Sequence, residues 1–215
     1  MKSPLLLGLA VVSLLCIAVS SGYTGDSAKE SGLRILVLGD SLTAGYGLAT
    51  EETFPAQLQQ ALQAAGYPVT VINAGVSGDT SAGGLSRLEW ALADRPDIVI
   101  LELGANDALR GLAPEQTGNN LEQIIIRLQQ AGVDILLAGM LAPRNLGSEY
   151  YSKFDNLYPA LAARYAIALY PFFLQGVAGE PQLNLADGLH PNARGVAVIV
   201  QNILPYLQPL IESSG

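Results

Sequence analysis

The sequence predicts an α/β protein, a three-layer αβα sandwich built on a five-stranded parallel sheet. Short, dense apolar runs alternate with helix-period stretches five times along the chain, the pattern of strands joined by helical crossovers. Those runs are nearly continuous in apolar residues, as expected of strands covered on both faces. At 215 residues, half of them apolar and 14% charged, the chain is long enough for one domain with a single core.

The elements follow in order. "RILVLG" (34–39) reads as the first strand, and "TFPAQLQQALQAAG" (53–66) as a helix stopped by Gly66. "VTVINAG" (69–75) is the second strand, and "TSAGGLSRLEWALADRP" (80–96) a helix closed by Pro96, despite its glycine pair. "DIVILELGAND" (97–107) is the third strand, followed by a helix over 113–132 with its apolar residues on one stripe. "VDILLAGM" (133–140) is the fourth strand, residues 150–164 are helical around Tyr158 and Leu161, and "AIALYPFF" (166–173) is a fifth, shorter strand. A helix over 191–211 closes the chain, with Pro205 and Pro209 expected to bend or fray its end. No internal repeat and no second-domain linker is visible.

Nineteen acidic against eleven basic residues give a net charge of −8. That balance excludes the electrostatic footprint of a nucleic-acid binder and charge-driven attachment to an anionic membrane. Residues 1–20 read as a secretory signal: Lys2, a short apolar stretch, then small residues around Ala18 and Ser20. The alternative is an uncleaved membrane anchor, which the shortness of the apolar stretch disfavours. Residues 21–32 are a small, polar leader, and 33–211 the folded domain. The single cysteine, Cys16, lies inside the signal, so the mature chain has no thiol for disulfides, thiol catalysis or metal ligation. The expected protein is exported, periplasmic or secreted, and nothing demands more than a monomer.

In open α/β sheets ligands bind beyond the carboxyl ends of the strands, so the loops there are where chemistry is sought. Four are informative: "GDSLTAGYG" (39–47), "AGVSGDT" (74–80), "GANDALRG" (104–111) and "DGLHPN" (187–192). The last contains the only histidine. Ser41 stands where a strand runs into a helical turn, but a serine hydroxyl is a poor nucleophile until a base takes its proton. His190 is the sole imidazole able to do so, and Asp187, three residues earlier, can accept the other ring N–H. Acyl transfer also needs donors for an oxyanion. The Ser41 N–H, the N–H of Gly78, whose lack of a Cβ permits close approach, and the Asn106 amide supply three from three loops. Each block also has an ordinary reading: a strand-to-loop turn, a helix cap at Asp79 or Thr80, a turn at Asn106, a surface histidine before proline. The case lies in their occurring together, in this order, at predicted strand ends.

These four blocks resemble those of the SGNH hydrolases, the GDSL esterase/lipase family, over residues 33–211. Within it the chain is most similar to the small exported bacterial arylesterase, acyl-CoA thioesterase I and lysophospholipase L1 type. The minor departures are Ala105, Ala108 and Leu189. The resemblance implies Ser41 as nucleophile, Asp187 and His190 completing the triad, Gly78 and Asn106 as oxyanion donors, a flavodoxin-like strand order, and no metal or organic cofactor. The absence of G-x-S-x-G argues against an ordinary α/β-hydrolase.

The expected activity is hydrolysis of acyl esters and thioesters, lysophospholipids among them. Leu109, Leu112, Leu141, Leu146, Tyr150 and Phe154 are candidates for an apolar acyl groove, and Arg110 and Arg144 for contacts with a head group. Gly104 and Gly111 would let the loop between them move. A carbohydrate O-acetyl esterase of the same family is the nearest alternative, disfavoured by those leucines. A non-catalytic binding module on the same fold is the alternative from another class, disfavoured by the full set of site residues.

Overall fold

A computed structural model of the chain describes Met1 and residues 32–214; the signal, and the leader up to residue 31, lie outside the described residues. Five strands form one parallel sheet: β1 (Leu33–Gly39), β2 (Val69–Gly75), β3 (Ile98–Glu102), β4 (Asp134–Ala138) and β5 (Ala168–Tyr170). Their order across the sheet is β2-β1-β3-β4-β5, the flavodoxin-like order. The direction of growth reverses between β1 and β3, the switch point where such sheets open a crevice. Register puts the strand ends level, with Gly39 opposite both Gly75 and Glu102, and Glu102 opposite Ala138. The loops that follow therefore leave the sheet along one edge.

Burial explains the strand sequences. Every residue of β3 is buried, because it lies at the centre of the sheet with both faces covered. In the edge strand β2 only Val69 and Ala74 are buried. The helices are α1 (Ser41–Ala44), α2 (Phe54–Ala64), α3 (Ser81–Ser86), α4 (Leu88–Leu92), α5 (Ala105–Leu109), α6 (Pro114–Gln130), α7 (Ser148–Asp155), α8 (Leu157–Tyr165) and α9 (Ala193–Ser214). The longer ones bury one stripe each: Phe54, Leu58 and Leu62 on α2; Leu121, Ile124, Ile125 and Leu128 on α6; Val196, Ile199, Val200, Ile203 and Leu207 on α9. Among the described residues, no helix is long and apolar enough to cross a membrane.

The structure departs from the expected elements in five places. The helix expected over 80–96 is two, broken at Arg87, whose backbone leaves the helical region (φ −105°, ψ 7°) as its side chain turns inward. The third strand ends at Glu102, because Gly104 takes a left-handed turn (φ 115°) that starts α5. The helix over 150–164 is also two; Pro159 fits in the first turn of α8, where no intrahelical N–H bond is lost. The fifth strand keeps only 168–170 of 166–173. The closing helix runs through Pro205 and Pro209 to Ser214, held down by Ile203, Leu207 and Ile211 on the core.

Candidate active site

Ser41 is the first residue of α1, a single helical turn directly after β1. The turn is held from several sides. Asp40 caps it, its Oδ1 accepting the Leu42 N–H at 2.9 Å. The Ser41 carbonyl accepts from the N–H groups of Gly45 and Tyr46, Gly45 being left-handed (φ 84°). Thr43 Oγ1 donates to Glu102 Oε2 at 2.8 Å. Gly75 allows β2 to close on the turn; any Cβ there would overlap the Ala44 backbone.

His190 approaches Ser41 from the other end of the chain. Its Nε2 is 3.0 Å from Ser41 Oγ, and its Nδ1 is 2.7 Å from Asp187 Oδ2. The local sequence "DGLHPN" builds this geometry. Asp187 Oδ1 accepts the N–H groups of Leu189 (2.9 Å) and His190 (3.0 Å), closing a turn that brings both side chains to one face. The His190 carbonyl accepts from Leu185 N–H at 2.7 Å, and Asn192 caps α9 by accepting from Arg194 and Gly195. The backbone N–H groups of His190 and Leu189, with the imidazole after them, hold the Asp187 carboxyl down at about 2. It stays ionised across the neutral range and so favours a proton on Nδ1, with Nε2 turned to the Ser41 hydroxyl. The ring of Tyr46 lies over His190, centroids 4.5 Å apart.

The Asn106 side chain lies in the first turn of α5 and donates from Nδ2 to Asp40 Oδ2 at 2.9 Å, leaving a second amide N–H for another acceptor. Gly78 is left-handed (φ 82°), which only glycine adopts readily, and its carbonyl accepts from Arg110 Nη2 at 2.8 Å. Asn106 is thus tied to the Ser41 turn and Gly78 to the end of α5. Beneath α5, Asp107 is buried and accepts from Ser81 N–H (2.8 Å), Ser81 Oγ (2.5 Å) and Thr117 Oγ1 (3.1 Å).

Two further carboxyls lie under the Ser41 turn. Asp40 is buried, which raises its carboxyl to about 6 even though the Leu42 N–H and the Asn106 amide pull the other way. Glu102, wholly buried, is pushed well above the usual carboxylate range by burial and then by the Asp40 charge. Its Oε2 faces the Asp40 N–H at 3.3 Å as well as Thr43, and its Oε1 has no hydrogen-bond partner among the described residues.

Of the groove candidates, Leu109 (55% exposed), Leu141 and Leu146 stand out from the strand-end loops, while Leu112 and Tyr150 are half-buried and joined by a 2.7 Å hydrogen bond from Tyr150 Oη to the Leu112 carbonyl. Phe154 lines no groove. It is fully buried between Tyr150, one turn earlier on α7, and Tyr158 on α8 (centroids 6.1 and 5.9 Å), and belongs to the core. Arg144 is already engaged by Asp155 at 2.5 Å and by the Tyr151 ring, and Arg110 by Gly78. Gly104 is less a hinge than a packing requirement, since a Cβ would overlap Tyr158 Oη.

Sequence reasoning assigned no part to Asp40, Tyr46, Glu102 or Arg87. Asp40 carries a readable signal, an aspartate directly before the helical turn. The other three act through contacts remote in sequence and carry none. Among the described residues there is no cluster of three or more His, Cys, Asp or Glu side chains suited to a metal ion.

Residues 37–198 match the model of the GDSL-like Lipase/Acylhydrolase family. The chain is 44% identical to "Esterase TesA" of Pseudomonas aeruginosa, over 85% of this chain and 92% of that protein. It is 40% identical to "Thioesterase 1/protease 1/lysophospholipase L1" of Escherichia coli K12, over 82% and 84%. A crystal structure of TesA superposes with a TM-score of 0.79 at 44% identity, covering 82% of this chain and 99% of that one. With the family match running from the first strand of the sheet into the closing helix and taking in all four loops at its edge, the chain belongs to the GDSL-like lipase/acylhydrolase family and is an ester hydrolase.

Proposed function

We propose that the protein hydrolyses acyl esters and thioesters through an acyl-enzyme on Ser41, with His190 as base and Asp187 as its orienting carboxylate. The hydrogen-bonded line from Ser41 Oγ through the imidazole to Asp187, 3.0 and 2.7 Å, carries this reading. His190 Nε2 takes the hydroxyl proton as Ser41 Oγ attacks the acyl carbon, and Asp187 stabilises the imidazolium that forms. The negative charge on the former carbonyl oxygen is held by the N–H groups of Ser41 and Gly78 and by the Asn106 amide. His190 returns its proton to the leaving alkoxide or thiolate, and a water activated by the same imidazole then releases the acid. Residues of this chain perform every step.

The exposed Leu109, Leu141 and Leu146 near this edge favour an acyl chain of medium or greater length over acetyl, and the name of the Escherichia coli relative extends the substrate class to thioesters and lysophospholipids. Residues 1–20 support export of the enzyme, which acts on small-molecule substrates as a monomer. The test is an initial-rate series on p-nitrophenyl esters from acetate to palmitate, with Ser41→Ala alongside. Rates that peak beyond acetate and vanish in the variant are expected. A peak at acetate would indicate an O-acetyl esterase, and activity surviving in Ser41→Ala would remove the mechanism.

A further inference from the structure

Gly78 and Ser41 lie on different loops, and an oxyanion site needs their N–H groups fixed to a fraction of an ångström before the charge develops. We infer that Arg87, which touches no reacting atom, is the positioning residue that locks the Gly78 loop to the Ser41 turn. Its guanidinium makes three hydrogen bonds to three segments: Nε to Asp79 Oδ2 at 2.6 Å, Nη1 to the Ala74 carbonyl at 2.7 Å, and Nη2 to the Gly39 carbonyl at 2.9 Å. Gly39 is two residues before Ser41, and Asp79 directly follows Gly78. One rigid fork therefore spans the segment before the nucleophile and the segment after the proposed donor.

Local structure is arranged around this contact. The helix expected over 80–96 breaks at Arg87 itself. Gly83 makes room for the Asp79 carboxylate, which a Cβ there would overlap, giving this glycine of "SAGGLS" a reason that helix propensity opposes. The side chains of Arg87 and Asp79 are each 16% exposed, so solvent screens the pair little. A merely structural pin would be redundant at two of the three bonds, since β1 and β2 are already laddered up to Gly39 and Gly75. One further backbone bond, from the Val76 N–H to the Gly39 carbonyl at 3.1 Å, ends that pairing. Of the three guanidinium bonds, the one to Asp79 reaches past it to the far side of Gly78, whose carbonyl is held from the other direction by Arg110.

This inference rests on the reading of Ser41 as nucleophile, and one experiment separates the two. Arg87→Lys keeps the charge but presents a single ammonium in place of a planar fork. Its kcat and KM on the best p-nitrophenyl ester are measured per active site, the sites being counted by exhaustive titration with a fluorophosphonate, with Ser41→Ala in parallel. The expected result is a kcat lowered by about 10²-fold, the cost of a misplacement near 1 Å, with KM changed less than about threefold and phosphonylation of Ser41 slowed in parallel. A kcat per titrated site within about twofold of the parent, or a loss confined to KM, overturns the positioning role. Residual activity in Ser41→Ala overturns the nucleophile reading instead. If Arg87→Lys does not fold, Asp79→Asn loosens only the loop end of the fork and is judged by the same criteria.

Discussion

Replacing Asp40 by asparagine separates stability from activity. Burial raises this carboxyl from 3.8 to about 6, and each pH unit corresponds to about 1.4 kcal/mol. Ionising Asp40 in the folded protein therefore costs on the order of 3 kcal/mol more than in the unfolded chain. Below pH 3.8 the group is neutral in both states and the cost is nil; it grows as pH rises through about 6 and is complete above it. The amide of Asp40→Asn would carry no charge and would still offer an oxygen to the Leu42 N–H. It would present an NH₂ to Asn106, which now donates to the carboxylate; if Asn106 flips to accept, its amide oxygen replaces the donor proposed for the oxyanion. Losing one such donor is worth about 10²–10³ in kcat. Urea unfolding at about pH 7.5 should show Asp40→Asn more stable than the parent by up to about 3 kcal/mol, the gain disappearing by about pH 4, while kcat on a p-nitrophenyl ester falls about a hundredfold or more. A variant less stable than the parent at the higher pH would refute the burial argument. A kcat within a few-fold of the parent would refute the coupling of Asp40 to Asn106.

Two further substitutions test the site from other directions. Asp187→Asn removes the acceptor that selects the His190 tautomer, so kcat should fall by about four orders of magnitude with KM little changed; a loss below about tenfold would sink the orienting role. Because the Asp187 carboxyl is depressed from 3.8 to about 2, its contribution to stability is complete above the upper value and lost between the two as pH falls. Acid unfolding followed by circular dichroism should show the parent converging on the variant only in that window. Gly39→Ala would drive a Cβ into Thr43 Oγ1 and the Glu102 carboxyl, and overpacking of this kind destabilises by about 1–3 kcal/mol. An unchanged urea midpoint would mean the buried turn yields more readily than its packing implies.

The strand ends were the most legible part of the chain. Residues 69–75 form β2 as the apolar run indicates, and "GDSLTAGYG" and "DGLHPN" gather at one edge because parallel strands in register deliver their loops there. What stayed hidden depends on partners far away in sequence. Glu102 sits in an apolar run as though it ended a strand at the surface, but it lies wholly buried against Thr43 of α1, and burial pushes its carboxyl up. Arg87 reaches a carbonyl 48 residues away, and Asp40 an amide 66 residues away; periodicity carries no trace of either. Phe154 looked like groove lining because its neighbours are aromatic and leucine-rich. Its burial follows from helical phase, which stacks it on Tyr150 and, across the break at Asn156, sets it edge-on to Tyr158.

The distances along the chain have a use in following how the protein folds. Asp187 and His190 meet within a single turn, three residues apart, whereas His190 and Ser41 are separated by 149 residues. The first contact can form in any state where that turn exists; the second requires the last strand-end loop to be seated against the first. With Ser41 as the nucleophile proposed above, its reactivity toward a phosphonate during refolding would work as a clock for chain closure. It starts only when the two ends of the sequence have found each other, whatever helix and sheet have formed between them.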